Sequence, residues 1–211
     1  MIRWENIKTG DENMAYADEE LIQMMNGYKS GQHGTLESGI YIKEELYEFI
    51  ETFLFEDKVS VMLPKTFDDM PMELAKLKYP MEQRPQVIKS NEVTDINFTF
   101  SLVEQPLTND KVESITGYIY QVFQTLQPVN DYFEKKVEHV GALSMGWFDF
   151  KSHGIDDTIY NLMFYIPIGG KTLQGIFNCR MSVSELWKPV ALQVMQSVKD
   201  LSMQKGEGCD A

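Results

Sequence analysis

The chain has 211 residues, 43% of them hydrophobic and 12% aromatic, which excludes a disordered chain and fits one domain, or one domain with an arm. Its 19 basic and 32 acidic residues leave a formal charge of −13. That balance argues against nucleic acid and anionic membrane surfaces as partners, and for basic ones. Only Cys179, in an apolar run, and Cys209, in a polar tail, carry thiols. A disulfide framework is therefore not expected, and a reducing, cytoplasmic setting is. Met1 to Gly10 has no signal-peptide core, and no run of about 18 apolar residues occurs, so no membrane insertion is expected.

Residues 1–44 read as an acidic, glycine-rich arm. Asp11, Glu12, Asp18, Glu19 and Glu20 supply the charge, and Gly27, Gly31, Gly34 and Gly39 punctuate a loop. Trp4 is the candidate anchor if the arm docks on a partner. A single α+β domain is expected over 45–205, with a tail at 206–211.

The domain opens with a hairpin over 48–64. Phe49, Phe53 and Phe55 share one parity, Glu56-Asp57 is the turn, and Val59, Val61 and Leu63 alternate after it. Pro64 ends the strand. A short helix is expected over Asp68 to Leu77, capped by Asp68 or Asp69 with Pro71 in its first turn. Pro80 and Pro85 bracket a loop. A strand follows, in which Ile96, Phe98, Phe100 and Leu102 alternate with Asn97, Thr99 and Ser101.

A helix over Asp110 to Leu126 shows a stripe of Val112, Ile115, Ile119, Val122 and Leu126, with Asp110 and Glu113 as a capping box. Pro128 stops it. Three strands over 138–151, 157–166 and 171–181 follow, turning at Gly154 to Asp157 and at Gly169-Gly170. Tyr160, Phe164 and Tyr165 occupy both parities of the middle strand, so neither of its faces is expected to be fully wet. Ser182 and Glu185 pair as a second capping box, starting a helix that reaches Met203. Its stripe is Trp187, Val190, Val194, Val198 and Leu201. Loss of the Ser182 cap would cost about 1 kcal/mol.

Tight turns between neighbouring strands make the pairing antiparallel. The expectation is α+β: an antiparallel β-sheet of about five to seven strands packed against two long helices, with an N-terminal arm.

Over residues 47–203 this order resembles the DcrB/PsbP-like proteins. The features that carry the resemblance are Leu63-Pro64 with Phe67 three residues on, the long middle helix, the meander and the final helix bearing Trp187. Lys78-Tyr79-Pro80 to Arg84-Pro85, Tyr160-Asn161 and Phe177-Asn178-Cys179 are similar to short motifs of these proteins. The resemblance implies an antiparallel sheet packed between helices. It also implies accessory, binding or chaperone roles in place of catalysis, and supplies no catalytic residues. The secretion chaperones that hold apolar effector segments are similar to this group.

Gly169-Gly170-Lys171-Thr172 looks like the end of a phosphate loop. However, Tyr165 stands where the first glycine belongs, and the segment joins two strands instead of opening a helix. His33, His139 and His153 have no metal-ligand spacing. Cys179 shares a parity with Leu173, Phe177 and Met181 and reads as a buried, inert thiol. No cofactor, no metal and no enzymatic activity are expected.

Among the methionines, Met62, Met70 and Met72 lie near the first sheet edge, where flexible thioethers suit an adaptable apolar surface. With Trp4 they are the candidate partner-binding residues. The expected function is a non-enzymatic, partner-binding protein, in the form of a secretion chaperone or adaptor that holds an apolar segment. The alternatives are an immunity-type inhibitor of a basic toxin, and a small-ligand-binding protein or enzyme with an unrecognised site.

Overall fold

The computed structural model describes residues 32–80, 82, 84–154 and 157–202. Trp4, Cys209 and most of the proposed arm lie outside the described residues.

The chain enters as a meander of β1 (Gln32–Thr35), β2 (Gly39–Ile42) and β3 (Glu45–Tyr47). Leu36, Ile40 and Ile42 of this meander are buried in the main core. Packing against the main core thus extends back to Leu36. Gly34 and Gly39, read as marks of a loop, serve tight pairing. Gly34 (φ 118°) sits against the Gly39 carbonyl, where a Cβ would collide.

The hairpin of β4 (Phe49–Leu54) and β5 (Val59–Pro64) forms as expected. It turns through Phe55, Glu56 and Asp57, all with positive φ. The next segment differs from expectation. Asp68 and Asp69 do not cap a helix but form a short strand, β6 (Asp68–Asp69), and the helix α1 (Met72–Lys78) starts after Pro71 without a side-chain cap. Beyond the segment bracketed by Pro80 and Pro85, an additional strand not read from the sequence, β7 (Val87–Ser90), pairs with β8 (Ile96–Val103).

The middle helix α2 (Val112–Leu126) is entered through a turn of 3-10 helix at Asn109–Lys111, and no Asp110–Glu113 capping box forms. The strand expected at 138–151 is two strands, β9 (Asp131–Val140) and β10 (Leu143–His153). They are reversed at Gly141, whose φ of 58° suits the turn. Gly141 stood inside a long apolar run and gave only a weak turn signal.

β11 (Thr158–Ile168) and β12 (Lys171–Arg180) turn at Gly169-Gly170 as expected. Helix α3 (Ser184–Gln196) begins after a 3-10 turn, so Ser182 is not its cap. Ser184 donates instead to the Met181 carbonyl at 2.8 Å. The helix stops at Gln196, not at Met203. The chain then bends into β13 (Lys199–Asp200), which pairs with β5.

Seven strands make one antiparallel sheet in the order β6-β7-β8-β12-β11-β10-β9, and β13-β5-β4 make a second. Alternation splits the large sheet into two faces. Phe98, Phe100, Trp147, Leu162, Phe164, Leu173 and Phe177 point to one core, closed by α3 and the second sheet. There Phe177 lies 4.9 Å from Phe98 and 6.3 Å from Trp187, ring centre to ring centre. Phe148, Phe150, Met163 and Tyr165 point the other way, under α2 with Phe123 and Tyr120. Both faces of β11 are thus covered, as its aromatic pattern implied.

Candidate functional site

Of the candidate partner-binding residues, Trp4 lies outside the described residues, and the structure places the three methionines in different settings. Met62 is half-buried against the main core. Met70 is buried with Ala75 and Ile88, while Met72 is 61% exposed on α1. Met70 and Met72 do line a shared cleft of ≈ 390 Å³ with Arg84 and Val87. Large exposed apolar residues lie on the small sheets, on α1, at Val93 in the β7–β8 turn beside a second, larger cleft, at Tyr118 and Leu126 of α2 and Val129 after it, and on the edge strand β9. Among the described residues none lies on β8, β10, β11 or β12. The glycines at 169 and 170 form a hairpin turn, with the Gly169 N–H donating to Asp200. Cys179 is buried, and burial pushes its thiol up to about 12.

A different place is better furnished. On the α2 face, α2 packs over β9, β10 and β11, and α1 with Tyr79 packs against Ile88 of β7. Between them the strand register sets a row across the sheet: Phe150, Asn161, Asn178, Asn97 and Ser90. Three adjacent strands therefore present asparagines side by side. Above them is a cleft of ≈ 660 Å³, lined by the three asparagines of this row with Lys78, Tyr79, Thr94, Asp95, Asp157 and Arg180. That volume is in the range of small-ligand sites.

The hydrogen bonds orient the row. Asn97 donates from Nδ2 to the Thr94 carbonyl at 3.2 Å and to Asn178 Oδ1 at 2.8 Å. Asn178 donates in turn to the Tyr79 hydroxyl at 3.1 Å. Asn161 donates to Ser152 Oγ at 2.9 Å. Asn97 is only 3% exposed, and its Oδ1 has no partner. Turning the amide over would not help, because two acceptors, the Thr94 carbonyl and Asn178 Oδ1, already face Nδ2. The other buried, unpartnered side-chain polar atoms among the described residues are Trp147 Nε1 and Ser202 Oγ, and neither lines this cleft.

The rim is charged but balanced. Arg180 Nε lies 3.5 Å from Asp95 and 3.9 Å from Asp157. Lys78 donates to the Thr94 carbonyl, and burial lowers its pKa, assisted by Arg180 and opposed by Asp95. Burial raises the Tyr79 hydroxyl, so it stays protonated. Thr94 itself has φ 58°, an outlier for a β-branched residue, and its carbonyl serves two donors at once. The β7–β8 turn thus holds local strain at the cleft.

The cleft was not predicted, although its signals were visible. Asn97, Asn161 and Asn178 had each been noticed in strand patterns or short motifs, and Lys78-Tyr79 in another. Their union depends on strand order, which one sequence does not reveal. Among the described residues no group of three His, Cys, Asp or Glu side chains is placed to hold a metal. No described helix is long and apolar enough to cross a membrane.

In sequence, no known family and no curated protein matches the chain. Solved structures do match in shape. The cyanobacterial PsbP protein (CyanoP) of Synechocystis sp. PCC 6803 superposes with a TM-score of 0.52 at 10% identity, over 72% of this chain and 92% of its own. A protein of Bacteroides thetaiotaomicron VPI-5482 gives 0.50 at 9% identity, over 74% of this chain and 49% of that one. The Ran-binding protein Mog1p of Saccharomyces cerevisiae gives 0.48 at 9% identity, over 75% and 98%. At such identities the likeness is one of fold, and the chain has the PsbP-like α+β fold that its order of elements implied.

Proposed function

We propose that the chain is a non-catalytic binding protein that receives a polar group of a partner protein in the asparagine cleft. The observation that supports this reading is the row of three asparagines, Asn97, Asn161 and Asn178, that lines a cleft of ≈ 660 Å³. The expected partner shifts accordingly from an apolar segment to a polar one. The charge of −13 favours a partner with a basic surface around that segment, as an immunity-type role would require. A reducing, cytoplasmic setting fits a chain whose described thiol is buried and protonated.

The test is affinity capture with the full chain and with Asn161→Trp, which fills the cleft from a half-buried position. A protein retained by the natural chain and lost with Asn161→Trp supports the reading. Equal retention by both would move binding to another surface, such as the exposed edge of β9. Weakening by salt in the first case would mark the basic surface.

A further inference from the structure

We infer that the chain self-associates through β9, two copies joining their large sheets edge to edge in an antiparallel pair with Val137 on the two-fold axis. This joint is independent of the asparagine cleft, to which β9 contributes no residue.

β9 is the end strand of the seven-stranded sheet, 10 residues long, and among the described residues it pairs only with β10. At the other end of that sheet, β6 has 2 residues. A long edge strand presents a row of N–H and C=O groups to any strand that can match it, and proteins blunt such edges with proline, bulges or charge. β9 has no proline. It does have a bulge near its start, where Phe133 and Glu134 stand against the single Asp149. From Lys135 to Val140 the register with β10 is unbroken, and this half is the template for pairing. Val137 within it is 41% exposed, and Phe133 at the bulge is 47% exposed.

The charges of this half select the occupant. Lys136 lies over the Trp147 ring and Glu138 accepts from Gln196 of α3, so both point to the α3 face. Lys135 lies over the Tyr120 ring on the α2 face. Residues directly opposite in an antiparallel pair share a face, so a two-fold pairing sets one residue opposite itself. With Lys135, Lys136 or Glu138 on the axis, like charges meet. With His139 there, Glu138 meets the apolar Val140. With Val137 there, two exposed valines meet, and Lys136 of each copy stands opposite Glu138 of the other. Lys135 then stands opposite His139. The same register brings the exposed Phe133 towards the Gly141 turn of the other copy, where an added Cβ would meet nothing within 4 Å.

β9 is also where a chain of net charge −13 can best meet its own copy. Its acidic residues, Asp131, Glu134 and Glu138, are offset by Lys135 and Lys136, and Lys188 of α3 adds a cation at Glu134. The joint is therefore close to neutral, and its opposite charges are arranged to match themselves.

The test is sedimentation equilibrium of the full chain over a concentration series, with Lys136→Glu, Glu138→Lys and the double reversal. Each substitution acts twice across the axis, so either single reversal should weaken the dimer roughly tenfold. The double reversal re-forms both pairs with their signs exchanged and should restore most of the lost affinity. Backbone amides of residues 135–139 should exchange more slowly as the concentration of the natural chain rises. Val137→Lys, which sets two lysines on the axis, should dissociate the dimer, with its thermal midpoint showing that the chain remains folded. A natural chain that stays monomeric up to near-millimolar concentration overturns the inference. A dimer that neither single reversal nor Val137→Lys weakens lies on another surface and also overturns it. A double reversal no tighter than the single ones overturns the Val137 register.

Discussion

On the α3 face of the large sheet, Asp149 is completely buried, and its carboxylate is met from three sides. Tyr160 donates its hydroxyl at 2.7 Å, Lys188 its ammonium at 2.7 Å, and the Glu134 backbone its N–H at 2.7 Å. On the α2 face, Asn97 is 3% exposed, and its Oδ1 is met by nothing. Both residues are polar groups in the interior of one sheet, about equally removed from water. One is closed upon itself and fixes α3 against β9 and β10. The other lies unpartnered beneath a cleft. A buried polar group that is satisfied helps fix the architecture, and one that is unsatisfied carries an energetic cost.

Breaking the closed side should have the largest effect. Lys188→Met leaves the Asp149 carboxylate buried with one of its three partners removed, and should lower unfolding free energy by about 3–5 kcal/mol in urea titrations. Adding Asp149→Leu should restore a good part of that loss, since a buried ion pair replaced as a whole is far less costly than one that is halved. A loss without recovery would mean that the trio matters through packing, and the contrast with Asn97 would weaken.

Next in size is crowding of the same face. A Cβ at Gly175 would fall inside the Phe164 ring, in a core where both neighbours are fully buried. Gly175→Ala should cost about 1–3 kcal/mol by overpacking, read from the shift of the thermal midpoint. The open side should respond in the other direction. Thr94 holds a left-handed backbone at φ 58°, so Thr94→Gly should raise stability by about 1 kcal/mol. A fall in stability instead would show that the Thr94 side chain contributes more than its backbone strain removes.

The smallest effect concerns the rim of the closed side. Lys136 and Lys188 hold Glu134 at about 2, below the ordinary 4.5. A depressed carboxylate contributes stability above its ordinary range and loses it as pH falls from there towards the folded value. Stability should therefore decline between about pH 4.5 and 2, and Lys136→Met should reduce that decline. The Glu134 side chain is 44% exposed, so the contribution is small and should shrink further in salt.

The main framework was legible because its signals are local. The β4–β5 hairpin, the Gly169-Gly170 turn, the alternation of β8 and the greater part of the stripes of α2 and α3 each need only near neighbours in the chain, although Leu126, expected in the α2 stripe, is exposed, and Val198 and Leu201 lie beyond α3. The misread pieces lacked such signals or had misleading ones. β6 and β7 are short, and their pairing is set by β8, not by their own composition. The two capping boxes matched in sequence, but 3-10 turns at Asn109–Lys111 and Met181–Val183 moved the helix starts past them. The asparagine row is the extreme case. Asn161 and Asn178 face each other across the Gly169-Gly170 hairpin, but Asn97 lies far from both in the chain, and only the pairing of β8 with β12 brings it beside them.

The most direct test is a high-resolution crystal structure of the full chain with its captured partner. The account predicts a polar group of the partner seated in the cleft over Asn97, Asn161 and Asn178. A partner held on another surface, with the cleft untouched, would contradict it.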